Sequence, residues 1–354
     1  MFERRLTKRS GKVMRISLLI VFLGIFVMAL VVYHLYSRVF VSNVSLENGQ
    51  SIFYIPTGAG FEEVVDGLEE AGIIISRRSF VWVAEKKGYD RQVRPGRYKF
   101  RDGMSNNHIV NMLRSGNQDP VMVVFNNIRN LYELAGRVSG YLEGDSVEFA
   151  TYLSAVETAG RYGFDQATFP SMFIPNTYEF YWTTSPGEFT ERMHAEYEAF
   201  WKGERDRKAK NMDMTRVEVT TLASIVDEET LHNDENSRIA GVYLNRLENG
   251  IPLQADPTLK FALNDFTRQR ILNTDKVIDS PYNTYKYKGL PPGPISIPSI
   301  SAIDGVLNHE KHNYLFFCAK ADFSGYHAFS RTLSQHNQHA REYQRALNRN
   351  RIYR

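Results

Sequence analysis

Glu229 is the residue whose type and setting point most directly to chemistry. It ends the acidic stretch of TRVEVTTLASIVDEETL, residues 215–231, a run that reads as one helix. At about 100° per residue, Val219, Leu222, Ile225 and Val226 fall within roughly 80° of Glu229. Asp227 lies roughly 160° away and Glu228 roughly 100° away. Glu229 therefore continues the apolar, core-facing stripe, and its two acidic neighbours point elsewhere. Burial disfavours the charged form of a carboxyl and raises its pKa. A general acid working near neutrality needs such a shift. A second reading stays open, in which Glu229 is a helix-end carboxylate paired with an arginine such as Arg246.

Other reactive residue types have weaker settings. His309/His312 and His336/His339 form two H-x-x-H pairs, but no H-E-x-x-H and no dense carboxylate set accompanies them, so no metal ligands are assigned. Serines lack a G-x-S-x-G context, and there is no G-x-x-x-x-G-K-[ST] phosphate loop. Cys318, the single cysteine, sits in YLFFCAK, which reads as a buried strand. One cysteine excludes an intrachain disulfide and a cysteine-built zinc site. Three segments mix aromatic rings with amides and hydroxyls, IPNTYEFYW (174–182), PYNTY (281–285) and HAFSRTLSQHN (327–337), and LQADPT (253–258) adds an amide, a carboxylate and a hydroxyl. That mixture suits sugar rings, which present apolar CH faces and hydroxyl edges.

The elements that must position these residues follow from composition and pattern. The 354-residue chain is 43% apolar and 23% charged, an ordinary globular composition long enough for two or three domains. Six basic residues (Arg4, Arg5, Lys8, Arg9, Lys12, Arg15) oppose Glu3 in the first 15 positions, a net +5. The whole chain carries +3, so the remainder sums to −2 and has no overall basic footprint for nucleic acid. ISLLIVFLGIFVMALVVYHL follows, long enough to cross a ~30 Å hydrocarbon core as a helix. It is longer than a signal-peptide h-region and lacks a small-residue cleavage pattern, which favours an uncleaved anchor. The positive-inside rule puts residues 1–15 in the cytoplasm and residues 40–354 across the membrane, as in a bacterial envelope.

Residues 37–50 read as a polar tether. Over 51–118, SIFYIP reads as a strand, FEEVVDGLEEAGI and SFVWVAEKKGY as helices, and RPGRYKF as a turn and strand. MSNNHIVNMLRSG adds a helix with Ser105 as N-cap and Gly116 just past its end. From VMVVF onward a longer α+β region reaches the C-terminus. YKGLPPGPISIPS, residues 287–299, holds four prolines and two glycines and must be a rigid irregular loop.

In order along the chain, LASIVDEET, LNRLENGIPLQADPT, PYNTYKYKGLPPGPISIPS and HAFSRTLSQHN resemble the motifs of the membrane-anchored endolytic murein transglycosylases, the YceG-like family. IPNTYEFYW is similar to a further motif of that family, and RPGRYKFRDGMSNNHIVNMLRSG to its LysM-like module. The resemblance spans roughly residues 40–345. It implies an α+β protein divided into a cytoplasmic N-terminus (1–15), a transmembrane helix (16–36), a tether (37–50), a LysM-like module (51–118) and a catalytic domain (119–354).

In the family motif A-S-I-[IV]-E-x-E the second Glu is catalytic, and that position is Glu229; the first Glu is Asp227 here. Ala255 stands where the family's L-Q-[ST]-D-P-T has a hydroxyl. The resemblance implies a lyase that needs no cofactor and cuts the β-1,4 bond between N-acetylmuramic acid and N-acetylglucosamine within peptidoglycan strands, leaving 1,6-anhydro ends. Gln254, Asp256, Thr258, Tyr282, Asn283 and Thr284 would hold the glycan, together with His327 and Asn337. The implied setting is the inner membrane, with the body in the periplasm near cell-wall synthases. Three alternatives remain: a two-carboxylate hydrolase using Glu229 and Asp256, a peptidoglycan-binding scaffold without catalysis, and a hub for synthases acting through its transmembrane helix.

Overall fold

The computed structural model describes residues 3–268 and 271–350, with side chains described from Met14 onward. The side chains of the basic cluster from Arg4 to Lys12 lie outside the described residues. The chain is mixed α+β, built of helices with three two-stranded sheets among the described residues. It divides into two compact units, Met1–Val121 with Tyr181–Thr183, and Met122–Phe180 with Thr184–Arg354.

The first unit opens with α1 (Glu3–Phe40). Met14–Phe40 is the one stretch among the described residues long and apolar enough to cross a membrane, and its apolar side chains are exposed. Strand β1 (Gln50–Ile55) pairs antiparallel with β2 (Gly96–Arg101), Gln50 opposite Arg101 and Ile55 opposite Gly96. Helices α2 (Phe61–Glu70), α3 (Arg77–Lys86) and α4 (Asn106–Ser115) complete this unit. Val64, Val65 and Leu68 of α2, Phe80 and Val83 of α3, Ile109 and Leu113 of α4, and Tyr98 and Phe100 of β2 share one core. Ser105 caps α4 as its sequence indicates, and Gly116 closes it in the left-handed conformation.

The tether reading needs correction. Val44 and Asn43 are buried in this unit. Asn43 Nδ2 donates to Asn106 Oδ1 at 2.8 Å, and Asn106 Nδ2 donates to Arg38 O at 2.8 Å. Asn43 Oδ1 accepts from Ser76 N at 2.8 Å, and these bonds fix the stretch, because a buried polar group left unpaired costs about 1–3 kcal/mol. A run that looked polar and free is thus part of the core.

In the second unit β3 (Val121–Phe125) pairs with β4 (Asn176–Phe180). Between them lie α5 (Leu131–Ser139), α6 (Ser146–Ser154) and α7 (Val156–Arg161). Helices α8 (Pro186–Trp201) and α9 (Glu204–Asn211) lead to α10 (Arg216–Glu229), opened by a capping box between Thr215 and Glu218. Val219, Leu222, Ile225 and Val226 are fully buried, the stripe expected from their spacing. Helix α10 packs against α11 (Asn236–Glu248), α12 (Asp256–Leu263) and α13 (Ile300–Leu307). The chain ends in the β5–β6 hairpin (Phe316–Ala319, His327–Ser330) and α14 (Leu333–Arg349).

The proline-rich segment 287–299 is irregular as expected, and much of it is threaded through the interior. Its backbone must find partners there. Ile295 N donates to Ser224 Oγ at 3.0 Å, and Ile297 N to Ile128 O at 2.8 Å. Ser299 donates to Asp227 through both its backbone N, at 2.9 Å, and its hydroxyl, at 2.6 Å. A side chain at Gly293 would meet Ala167 O at 2.1 Å, so the chain can pass there only without a Cβ.

Candidate active site

Glu229 is the last residue of α10 and opens onto a cavity of about 370 Å³. The cavity is lined by Tyr243 and Arg246 of α11, Gln254, Asp256, Tyr285, and the aromatic rings Phe316 and Phe317 of β5. Helix α14 adds Leu333 and His336. Five separate stretches of the second unit thus converge on one carboxyl.

Opposing influences set the state of that carboxyl. Desolvation dominates and lifts the Glu229 pKa to about 7, and Asp256 pushes the same way as a neighbouring negative charge. Tyr243 opposes them: its buried hydroxyl donates to Glu229 Oε1 at 2.6 Å, which favours the ionised form. The C-terminal end of a helix also carries partial negative charge and adds to the upward pressure. Burial and the adjacent carboxyl hold Tyr243 itself far above the usual tyrosine range. Glu229 is therefore a group that exchanges a proton near neutrality, with one fixed hydrogen bond to orient it.

The expected pairing of Glu229 with Arg246 is not what the side chains do. Arg246 donates to Leu253 O at 3.1 Å and to Gln254 Oε1 at 2.7 Å, and its guanidinium stacks on Phe316. Gln254 has φ of +54°, the left-handed region that costs a non-glycine residue about 1–2 kcal/mol. It is held there by Arg246 from one side and by its own N donating to Thr284 O at 3.0 Å from the other. Strain at a cleft residue, fixed by two clamps, aims its amide at the cavity. Asp256, at the start of α12, accepts from the Tyr285 hydroxyl, which burial and that carboxylate push up in pKa.

The sequence-derived site residues fall into three groups. Glu229, Gln254 and Asp256 meet in the cavity. Thr258, Asn283 and Thr284 are buried behind its wall. Thr284 Oγ1 accepts from Ala255 N at 3.1 Å and bonds Thr258 Oγ1 at 2.8 Å, bracing the turn that presents Gln254 and Asp256. Asn283 donates to Lys276 O and Ile278 O and accepts from the backbone of Tyr285 and Lys286, so its amide is fully engaged. The remaining three lie elsewhere. Tyr282 packs on Phe261 in a second cavity. His327 contacts Glu235 at 2.8 Å and sets its ring edge-on to Phe317, behind the cleft. Asn337 is exposed on α14, while its predecessor His336 faces the cavity.

Tyr243 and Tyr285 were not singled out from the sequence, and His336 was weighed there only as half of an H-x-x-H pair. Tyr285 lay in the quoted PYNTY segment, and Tyr243 is three residues before Arg246, one turn along the same helix face. His336 is lowered in pKa by burial and by Arg246, which keeps a second positive charge out of the cavity.

A carboxyl lifted toward neutrality, beside Asp256 and among aromatic rings and polar side chains, is an arrangement suited to acid–base chemistry. The profile of the YceG-like family matches residues 53–342, and the chain belongs to that family. It is 42% identical over 123 residues to an endolytic murein transglycosylase of Bacillus subtilis, covering 35% of this chain and 33% of that protein. It is 28% identical over 297 residues to one of Streptococcus pneumoniae, covering 75% of this chain and 53% of that protein. The chain thus spans about a third and about half of these curated relatives. A YceG-like protein of known crystal structure from Listeria monocytogenes shares the fold, with a TM-score of 0.55 and 26% identity over 82% of this chain and 99% of that one.

Proposed function

We propose that the chain is an endolytic peptidoglycan transglycosylase in which Glu229 serves as both acid and base. The observation that carries this reading is the Glu229 carboxyl, lifted to about pH 7 and oriented by Tyr243 within a cleft. Protonated Glu229 gives its proton to the glycosidic oxygen as the C1–O bond between N-acetylmuramic acid and N-acetylglucosamine breaks. The C6 oxygen of the same muramic acid then attacks C1, and its proton passes to the Glu229 carboxylate. A 1,6-anhydro end forms, no water enters, and the acid is regenerated. Attack from within one ring draws on the proximity advantage of an intramolecular reaction. Asp256, held by Tyr285, supplies negative charge for the oxocarbenium-like centre, and Gln254 offers its amide Nε2 to sugar hydroxyls. Thr258, Asn283 and Thr284 act by positioning these two.

The division into a transmembrane helix over 16–36, a LysM-like module over 51–118 and a catalytic domain over 119–354 belongs to the same reading. So do an N-terminus in the cytoplasm, a periplasmic body at the inner membrane, and synthases as neighbours. The exposed apolar helix Met14–Phe40 and the basic residues before it support this topology. Cutting close to the membrane would act on nascent strands and set their length.

Asp256 favours one competing reading, a two-carboxylate hydrolase, because it lines the same cavity and acts on Glu229. A digest of purified peptidoglycan with wild type and Glu229→Gln, its product ends read by mass spectrometry, separates the two. Internal anhydro-muramic acid ends, absent with the variant, are expected. Reducing ends would establish the hydrolase, and binding without cleavage by either protein would leave a scaffold.

A further inference from the structure

A second cavity of about 300 Å³ shares α12 with the Glu229 cleft. Asp256 lines the first and Phe261 the second, and five residues of helix set them roughly 140° apart. The turn at 281–285 is shared in the same way, with Tyr285 in the first cavity and Tyr282 in the second. The two cavities therefore flank one wall.

Their chemistry differs. The first holds the carboxyls of Glu229 and Asp256. The second is walled by apolar and aromatic groups, among them Tyr132, Phe169, Phe261 and Tyr282, and its one charged lining residue is Arg129. Arg129 stacks 4.9 Å over Phe266 and forms no ion pair among the described residues. A neutral sugar could use the polar side chains of Asn130, Ser154 and Gln166 but would bring no negative charge to Arg129. A short peptide with small apolar side chains and a free carboxylate satisfies both features.

We propose that this cavity binds the acidic peptide stem carried by a peptidoglycan strand, with a stem carboxylate on Arg129 and its apolar groups against Tyr132 and Tyr282. The assignment rests on the peptidoglycan reading above. Arg129 also lies within electrostatic reach of Glu228, opposing the upward shift that desolvation gives that carboxyl, so its guanidinium sits near the residue preceding Glu229. A stem anchored there would hold its own muramic acid beside the scissile bond, and the protein would choose strands that still bear peptides.

The test uses the 354-residue protein in detergent, with peptide-bearing strands and strands stripped of peptide as parallel substrates. Wild type is expected to cut the peptide-bearing strands about tenfold faster, the scale of one charge-assisted contact at a solvent-open site. Arg129→Gln and Tyr132→Ala change exposed side chains and should fold normally. Both should bring the ratio close to one. Equal rates for the two substrates in wild type, or a ratio that Arg129→Gln leaves unchanged, would overturn the proposal, the latter pointing to a sugar subsite. Failure of wild type to cut either substrate would count against the proposed activity instead. Calorimetric binding then decides the cavity: a disaccharide-peptide should bind, Arg129→Gln should weaken it about tenfold, and the bare disaccharide should show no such dependence. Indistinguishable binding of the two ligands would refute it.

Discussion

The proton on Glu229 is controlled by a contest that substitution can tilt. Tyr243 donates to the ionised form, so removing its hydroxyl should raise the Glu229 pKa further above 7. For Tyr243→Phe, the alkaline limb of the kcat/KM profile should move to higher pH, and kcat should fall about tenfold as the carboxyl loses its orientation. In wild type that limb should lie near pH 7, because the reaction starts from protonated Glu229. Stability follows the same group. Its folded-state pKa of about 7 lies above the ordinary 4.5, so the folded state binds the proton more tightly and wild type loses stability as pH rises from 4.5 to 7. Glu229→Gln should be inactive and more stable than wild type, the gain growing over that range to about 1–3 kcal/mol above pH 7. Chemical denaturation at pH 5 and pH 8 measures it.

Helix α10 carries more than the acid, since Ser224 and Asp227 hold the buried loop 287–299. Asp227→Ala strips Ser299 of both contacts and should cost about 1–3 kcal/mol, read as a lowered denaturation midpoint. Gly293→Ala forces a Cβ against Ala167 O and should cost a comparable amount. Much of this element level was legible from sequence. The α10 stripe, the caps of α4 and the irregularity of 287–299 follow from local spacing and residue type, which depend on neighbours along the chain. Glu229 was legible because a helical wheel and a motif agreed on it. Tyr243 and His336 were not, because they reach the cavity from α11 and α14 through packing that no local pattern encodes. Asn337 and His336 show the limit well: one step along a helix turns the side chain by about 100° and exchanges cavity for solvent. Thr258, Asn283 and Thr284 carry polar side chains of the kind that bind sugars, and only their buried partners show that they hold backbone.

For the molecule as a whole, α1 and the first unit are joined at Arg38, Asn43 and Val44. Deleting residues 1–36 should release the protein from membranes and leave cleavage of dissolved strands intact. Deleting residues 1–45 removes buried Asn43 and Val44 and should unfold the first unit, visible as a lost thermal transition. The stapling of 287–299 to α10 has a wider consequence. The helix that presents the reacting carboxyl is also the post to which that loop is tied, so an incompletely folded copy has neither its carboxyl lifted in pKa nor its cleft assembled. Under the proposed activity, the power to cut a polymer would therefore appear only as the fold is completed.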